Sequence, residues 1–308
     1  MINQVSFSDA KDSWGLALSH NPIQVPFLTW EWHNDWFQTL GASYSPLTFT
    51  MGNELVASFA RKDTELIFAG GDEIADYLDI VGSDDKKQTA WDEILQQIQR
   101  LGITGLTLRN VPENSATRSY FSGMPGAECV QEDTTPQFLL PNSWESYLDS
   151  LSKKYRHELE RKIRKFNREH PDSEIFESAN PADDISILFA LMEKDDAKKI
   201  FLTAEMKEFF IRIAHTFSGQ TSLRYVRLGD KKIAATLSFI MNNSHYLYNS
   251  GFDKDCCSIA GFYLKAMNIQ HAISNHAHLY NFLQGNERYK YELAGQDFGV
   301  FKIRYTLK

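Results

Sequence analysis

The sequence has 308 residues, of which 43% are hydrophobic and 13% aromatic, and its formal net charge is −8. This length suffices for one large or two ordinary domains, and the composition is typical of a globular rather than a disordered chain. The net acidity disfavours general affinity for nucleic acids. No apolar run approaches the ~18 residues of a membrane span, and the three cysteines have no metal-binding spacing. We therefore expect a soluble, cytoplasmic protein that holds no metal.

The first 140 residues predict one αβ unit. A β-hairpin is indicated by two apolar runs, Leu47 to Met51 and Leu55 to Arg61, on either side of the turn dipeptide Gly52-Asn53. A helix capped by Ser83 is predicted to run to Arg100. The stretch from 112 to 136 has little periodicity and is interpreted as a loop-rich connection. Further predicted elements are a helix from Thr29 to Leu40 and strands over 65–68 and 105–109.

A strongly basic segment opens the second half. From Lys153 to Arg168 the chain carries eight Lys or Arg against two Glu, a net charge of +6. Apolar residues recur at helical spacing (Tyr155, Leu159, Ile163, Phe166), which predicts an amphipathic helix docked by one stripe. Such a helix is either a solvated surface helix or a rim that attracts a polyanionic substrate. A role at RNA or at a membrane surface has no second feature in support.

The remaining elements follow the order β-α-α-β-β-β-α-β-β, ending in a strand from Phe298 to Leu307. The unusual chemistry lies between Ser244 and Leu293, read as strand, polar loop, helix from Ala260 to Ser274, and strand from Leu279 to Leu283. The first N–H groups of a helix have no partner within the helix and favour an anion such as phosphate. The pair Ala260-Gly261 at this helix start is compatible with a phosphate site. It is equally compatible with an ordinary buried turn.

Several stretches together resemble the GNAT-like acetyltransferases related to CelD of cellulose biosynthesis, the BioF-like / FemAB-like family, and, more distantly, the FemAB peptidyltransferases. The stretches that carry the resemblance lie in both halves of the chain and are PFLTWEW from Pro26, GGDEIADYLD from Gly70, YRHELERK from Tyr155, YLYNSGFD from Tyr246, AGFYL from Ala260 and YNFLQGNERYK from Tyr280. Two positions depart from the family pattern. Ala260 stands where Pro is common, and Asn281 stands where Asp is common.

The resemblance implies an α/β (α+β) protein of two tandem GNAT-like units. Each unit would be a mixed, mostly antiparallel twisted sheet flanked by helices. The expected boundaries are 1–140 for a degenerate first unit and 141–308 for an acyltransferase unit that contains the basic helix 153–168. The implied donor is acetyl-CoA or another acyl-CoA, and the implied acceptor is a sugar-linked or amino-acid-like amine.

The resemblance also suggests site residues. Lys290 would stabilise the acyl oxyanion, and Tyr248 would protonate the departing thiolate. Tyr246 and Tyr248 alternate with Leu247 and so share one face of a strand. The residues expected to bind the donor are Gly251, Ala260, Gly261 and Phe262. The residues expected to bind the acceptor are Arg156, Tyr246, Asn281, Gly285 and Tyr289.

Two other functions remain open at the level of sequence. One is a FemAB-like transferase that uses aminoacyl-tRNA, with the basic helix as its RNA-binding rim. The other is a catalytically inactive binding module, motivated by Asn281 in place of a carboxylate. Nucleotide-binding and hydrolase motifs are absent from the sequence, and direct transfer needs no nucleophilic role for Cys256 or Cys257.

Overall fold

A computed structural model describes residues 1–307. The elements of its first part alternate short strands with helices, and a single 3₁₀ turn, Pro26–Leu28, precedes the second helix. In chain order they are β1 Asn3–Val5, α1 Lys11–Ser19, α2 Trp30–Phe37, β2 Ser45–Met51, β3 Leu55–Lys62, β4 Glu65–Phe68, β5 Val81–Gly82, α3 Asp84–Arg100, β6 Gly105–Pro112, α4 Ala116–Ser122 and β7 Ala127–Thr134.

The second part begins with a short strand and two helices. In chain order its elements are β8 Gln137–Leu139, α5 Trp144–Ser150, α6 Lys153–Glu169, β9 Ser173–Glu177, α7 Pro181–Asp184, α8 Ser186–Met192, α9 Asp196–Phe201, α10 Ala204–Thr216, β10 Thr221–Leu228, β11 Lys231–Met241, β12 Ser244–Phe252, α11 Ala260–Ser274, β13 Leu279–Asn281, α12 Arg288–Glu292 and β14 Gly299–Thr306. No helix among residues 1–307 is both long and apolar enough to cross a membrane.

The chain forms two compact units. The first contains residues 1–134 and the chain from Phe298 onward, and the second contains residues 135–297. Each unit holds its own mixed sheet flanked by helices, which confirms the predicted fold class. These boundaries differ from the predicted division at residue 140, because the last strand lies in the first unit.

The sheet of the first unit has the strand order β1-β2-β3-β4-β6-β14-β7 within residues 1–307, and β5 pairs with β3. The predicted hairpin is confirmed as β2 and β3, with Met51 opposite Leu55 and Gly52 at a φ of +53°. The predicted loop over 112–136 is wrong, since it contains α4 and β7. Side chains of β7 are mostly exposed, so no apolar alternation marks it as a strand.

The sheet of the second unit has the order β8-β13-β12-β11-β10-β9. The helix α11 connects β12 to β13 in the parallel crossover, and its apolar side packs on the sheet together with α6. The basic helix is confirmed as α6, and the side chain of Ser152 caps it by accepting the N–H of Tyr155. Its apolar residues Leu159 and Phe166 are buried.

Candidate functional site

The second sheet opens between two parallel strands. β12 spans nine residues and β13 only three, so their pairing covers Ser244 to Tyr246 and then stops. The predicted strand from Leu279 to Leu283 ends early because Leu283 takes a φ of +57°, a left-handed conformation that a strand cannot continue through. The later part of β12 therefore presents one edge without a strand partner.

The carbonyl of Ser250 faces this opening. The N–H of Asp253 donates to the carbonyl of Ile233 at 2.9 Å. In an antiparallel pair, every second residue directs its N–H and C=O groups toward the partner strand. Asp253 does so, and Ser250, three residues earlier, therefore directs its backbone groups away from β11. There it accepts a hydrogen bond of 2.5 Å from Nζ of Lys198, which α9 carries. One cation is thereby fixed at the open edge.

A second lysine is held by the chain that follows β13. Lys290 is only 1% exposed, and its ammonium donates to the carbonyls of Leu283, Gln284 and Gly285 at 2.9, 2.6 and 3.0 Å. Glu287 pairs with it at 3.0 Å. A lysine has three N–H donors, so these acceptors occupy all of them. The contacts make Lys290 the residue that closes this turn.

A third lysine lies near the first two. Lys265 of α11 is 6% exposed, and its Nζ lies 4.3 Å from the ring centroid of Tyr289. Within residues 1–307 its ammonium makes no hydrogen bond and no ion pair. Burial is the main cause that lowers the pKa of Lys265 to about 7; Lys198 and Lys290 add to the effect and Glu287 opposes it. We refer to Lys198, Lys265 and Lys290 as the lysine cluster.

The predicted face of the tyrosines is confirmed. The Tyr248 ring packs against Phe210 of α10 at 5.4 Å and against Phe239 at 5.2 Å, whereas Leu247 joins the apolar core beneath α11. Tyr246 is buried, which raises the pKa of its phenol. Leu247 packs beneath α11 and Tyr248 packs against α10. The Tyr248 ring and Lys265, which α11 carries, therefore lie on opposite sides of the sheet.

The residues predicted to bind the donor make packing contacts. A Cβ on Gly251 would lie 2.4 Å from the backbone nitrogen of Met192, and one on Gly261 would lie 2.7 Å from the Phe252 ring. Ala260 is fully buried, and the Phe262 ring lies 3.8 Å below Nζ of Lys162. Both glycines thus permit close approach of neighbouring elements.

The start of α11 nevertheless has free backbone donors. Asp253 accepts the N–H groups of Asp255 and Cys256 at 3.1 and 3.2 Å, which orders the loop before the helix. The N–H groups of Gly261 and Phe262 donate to no acceptor in the described chain. They are the unsatisfied donors that a helix N-terminus offers to an anion.

Two predicted acceptor-binding residues are engaged by other side chains. Asn281 is buried; its amide donates to Gln137 at 2.8 Å and its oxygen accepts the N–H of Leu283 at 2.8 Å. Arg156 pairs with Asp149 at 2.5 Å and lies 3.6 Å from Glu160. Asn281 therefore shapes the turn after β13, and Arg156 lies outside the lysine cluster.

A surface cleft of about 470 Å³ runs beside α6. Its lining is mainly charged and consists of Lys154, Tyr155, His157, Glu158, Arg161, Arg288 and Glu292. Most of these charges are paired: Arg161 donates two hydrogen bonds to Glu158, which lower the pKa of that carboxyl to about 2, and Arg288 pairs with Glu292. The two glutamates already counted in the net charge of +6 are thus paired with arginines of the same helix.

The corresponding opening in the first unit is filled. There β4 pairs in parallel with β6 only through Glu65 and Leu66. Beyond that point Trp32 donates to the carbonyl of Gly70 at 2.9 Å, and a Cβ on Gly71 would lie 2.4 Å from the indole nitrogen of Trp36. The buried indoles of α2 occupy the space next to this edge of β4.

The sequence analysis missed Lys265 and Lys198. The signal for Lys265 was a lysine on the buried side of a helix, one turn from Gly261 and one turn from Ile269. A lysine so placed is rarely buried without a partner. Lys198 carries no such signal, since α9 has no buried residue.

Comparisons with known proteins agree with this architecture. The sequence profile described as "Acetyltransferase (GNAT) domain" matches residues 153–291. Curated protein sequences include no match to this chain.

Solved structures show the same fold at low identity. The structure of FemX is 10% identical, covers 98% of this chain and 96% of its own, and has a TM-score of 0.65. A tandem GNAT protein from the clavulanic acid biosynthesis pathway is 11% identical, covers 100% and 99%, and has a TM-score of 0.57. The C-terminal domain of a putative lysylphosphatidylglycerol synthetase from Agrobacterium fabrum is 9% identical, covers 98% and 93%, and has a TM-score of 0.64.

Proposed function

We propose that this protein, whose residues 153–291 match the profile of a GNAT acetyltransferase domain, is an N-acyltransferase that moves an acyl group from acyl-CoA directly to an amine. The observation that carries the proposal is the open edge of β12, which the lysine cluster borders. The first unit is proposed to be degenerate, because indole rings fill its equivalent opening.

The donor is proposed to lie along α11 and β12. Its diphosphate would accept the free N–H groups of Gly261 and Phe262, where the helix dipole favours negative charge. Its pantetheine arm carries two amides, which suit the edge of β12 that has no strand partner. The thioester would then reach the lysine cluster. Gly251 and Ala260 would serve this site by allowing close packing around it.

Acyl transfer to an amine requires stabilisation of the oxyanion, removal of a proton from the amine and protonation of the thiolate. Lys290 supports this chemistry by fixing the turn that borders the opening, since its donors are already occupied. Tyr248, the predicted proton donor to the thiolate, lies on the side of the sheet opposite Lys265 and is not assigned to this step. Tyr246, Tyr289 and Gly285 are the proposed neighbours of the acceptor.

The experiment is a thermal-shift series with acetyl-CoA, a longer acyl-CoA and free CoA. A ligand at a hundred times its dissociation constant stabilises the folded state by about 2.7 kcal/mol. Ser258→Glu places a negative charge before α11, and Ser274→Glu places the same charge at the exposed other end of that helix. We expect the shift to be lost only in Ser258→Glu. Absence of a shift with every CoA species would refute the donor proposal.

A second candidate is transfer from aminoacyl-tRNA, favoured by the charge of +6 on α6. RNA binding would weaken steeply with salt, because each phosphate contact releases counterions. The test measures how the protein binds the nucleic acid of a cell extract. Binding that survives ribonuclease treatment and does not change between 50 and 200 mM salt would exclude this candidate. An inactive binding module would bind CoA but release no thiol from acyl-CoA with any amine.

A further inference from the structure

Lys265 combines three properties that rarely occur together. It is buried, its ammonium has no acceptor within the described residues, and it lies close to Lys198, which is bound at the edge of β12 that β13 leaves open. Helix α11 follows β12 in the parallel crossover to β13. Lys265 lies four residues after Gly261, which is about 6 Å along the helix axis at a rise of ~1.5 Å per residue. It therefore lies on the path proposed for the donor.

The charged groups around Lys265 come from three elements. α9 contributes Lys198, and the turn and α12 contribute Glu287 and Lys290. Packed against α11 from the other side, α6 contributes Lys162, whose charge is paired with Glu292 at 3.1 Å. Three cations thus face one carboxylate within the cluster.

The other two lysines differ from Lys265 because their ammonium groups have carbonyl acceptors. Lys198 donates to the Ser250 carbonyl, and Lys290 donates to three carbonyls and pairs with Glu287. Hydrogen bonds to carbonyl oxygens favour the ammonium form of both lysines, while burial lowers the pKa of Lys198. Lys265 lacks such acceptors, and the two fixed positive charges disfavour a third. The neutral amine is the form that this environment favours.

We propose that Lys265 is the proton acceptor for the acceptor amine in the acyl transfer proposed above, on which this inference rests. Its neutral Nζ takes one proton from the acceptor ammonium. The resulting free amine attacks the thioester carbonyl, the new C–N bond forms and the C–S bond breaks with its electron pair on sulfur. Lys265 then returns a proton to the thiolate or to water, and the surplus proton of the amide nitrogen leaves to solvent.

The first test is the pH dependence of kcat/KM for acyl transfer. A neutral lysine is required, so kcat/KM of the wild type should rise with pH and level off above a midpoint near pH 7. Lys265→Met keeps the shape of the stem and removes the base. It should lower kcat/KM at pH 7 about 100-fold or more and shift the rising limb toward the pKa of the acceptor amine, because only amine that is already neutral then reacts. Lys199→Met on exposed α9 should change neither.

Two further measurements separate a proton acceptor from a structural lysine. Lys265→Arg keeps a cation that does not lose its proton, so it should be as inactive as Lys265→Met while both retain the acetyl-CoA thermal shift. An acceptor of low basicity, such as an alkoxyamine, is already neutral and should restore most of the lost rate. A structural defect would be indifferent to the basicity of the acceptor.

The outcomes separate the inference about Lys265 from the proposed acyltransferase function on which it rests. If Lys265→Met or Lys265→Arg binds acetyl-CoA and transfers the acyl group with the wild-type pH profile, Lys265 is not the proton acceptor and the proposed function stands. A wild-type profile that is flat from pH 6 to 9 also overturns the inference. If the wild type neither binds CoA nor releases thiol with any amine, the proposed function itself fails.

Discussion

Lys290 illustrates what residue types predict and what they do not. The sequence indicates a charged residue at the end of the family-like stretch YNFLQGNERYK, and the structure places it beside the opening. Its three carbonyl acceptors are invisible to the sequence, because they depend on the left-handed turn at Leu283 and Gly285. The same limitation hid Lys265, whose burial without an acceptor appears only when α9, α11 and α12 are placed together.

Gly285 allows a test of this turn. It has a φ of +113°, and an added Cβ would lie 3.2 Å from Nζ of Lys290 and 2.5 Å from a carboxylate oxygen of Glu287. We expect Gly285→Ala to destabilise the protein by about 1–3 kcal/mol and to reduce acyl transfer, since the turn must move. Gly219→Ala is the control, because its Cβ would meet no atom within 4 Å. Equal urea midpoints for both variants would contradict this assignment.

At the scale of elements, local chemistry predicts most of the second unit. The Asn242-Asn243 turn takes φ values of +49° and +56°, as the dipeptide predicts, and the caps at Ser152 and Thr203 start their helices. Strand partners are harder to predict. The alternation from Phe298 to Leu307 indicates a strand, but nothing in it identifies β6 and β7 as the neighbours.

The pairing of β12 with β13 contains a pH-sensitive contact. His245 stacks on Tyr280 with ring centroids 4.7 Å apart, and its Nε2 has no hydrogen bond in the described chain. Burial lowers the pKa of His245 to about 3. Between that value and 6.5 the unfolded state binds more protons, so stability is complete above pH 6.5 and falls as pH decreases.

His245→Phe keeps the stacked ring and removes the titration. We expect the variant to be as stable as the wild type at pH 7, and more stable than it by roughly 2 kcal/mol at pH 5. Urea denaturation at the two pH values measures the difference. His33→Phe in the first unit, where burial lowers the histidine pKa to about 4, should act in the same direction. A constant difference between His245→Phe and wild type across this range would contradict the argument.

At the scale of the whole molecule, the units do not follow the order of the chain. β14 completes the first sheet between β6 and β7, and β8 completes the second beside β13. The fragment 135–297 contains every strand of its sheet, so we expect it to fold alone. The fragment 141–308 lacks β8, loses the buried Phe138 and carries β14 without its partners. It should aggregate or remain unfolded by circular dichroism, and a folded 141–308 would contradict this division.

The measurement that tests the account most directly is the release of free CoA thiol from acetyl-CoA, with a panel of sugar-linked and amino-acid-like amines. The account predicts release that depends on the amine, is abolished by Ser258→Glu and is unchanged by Ser274→Glu. Thiol release that no amine increases, in a protein that acetyl-CoA does not stabilise, would contradict it.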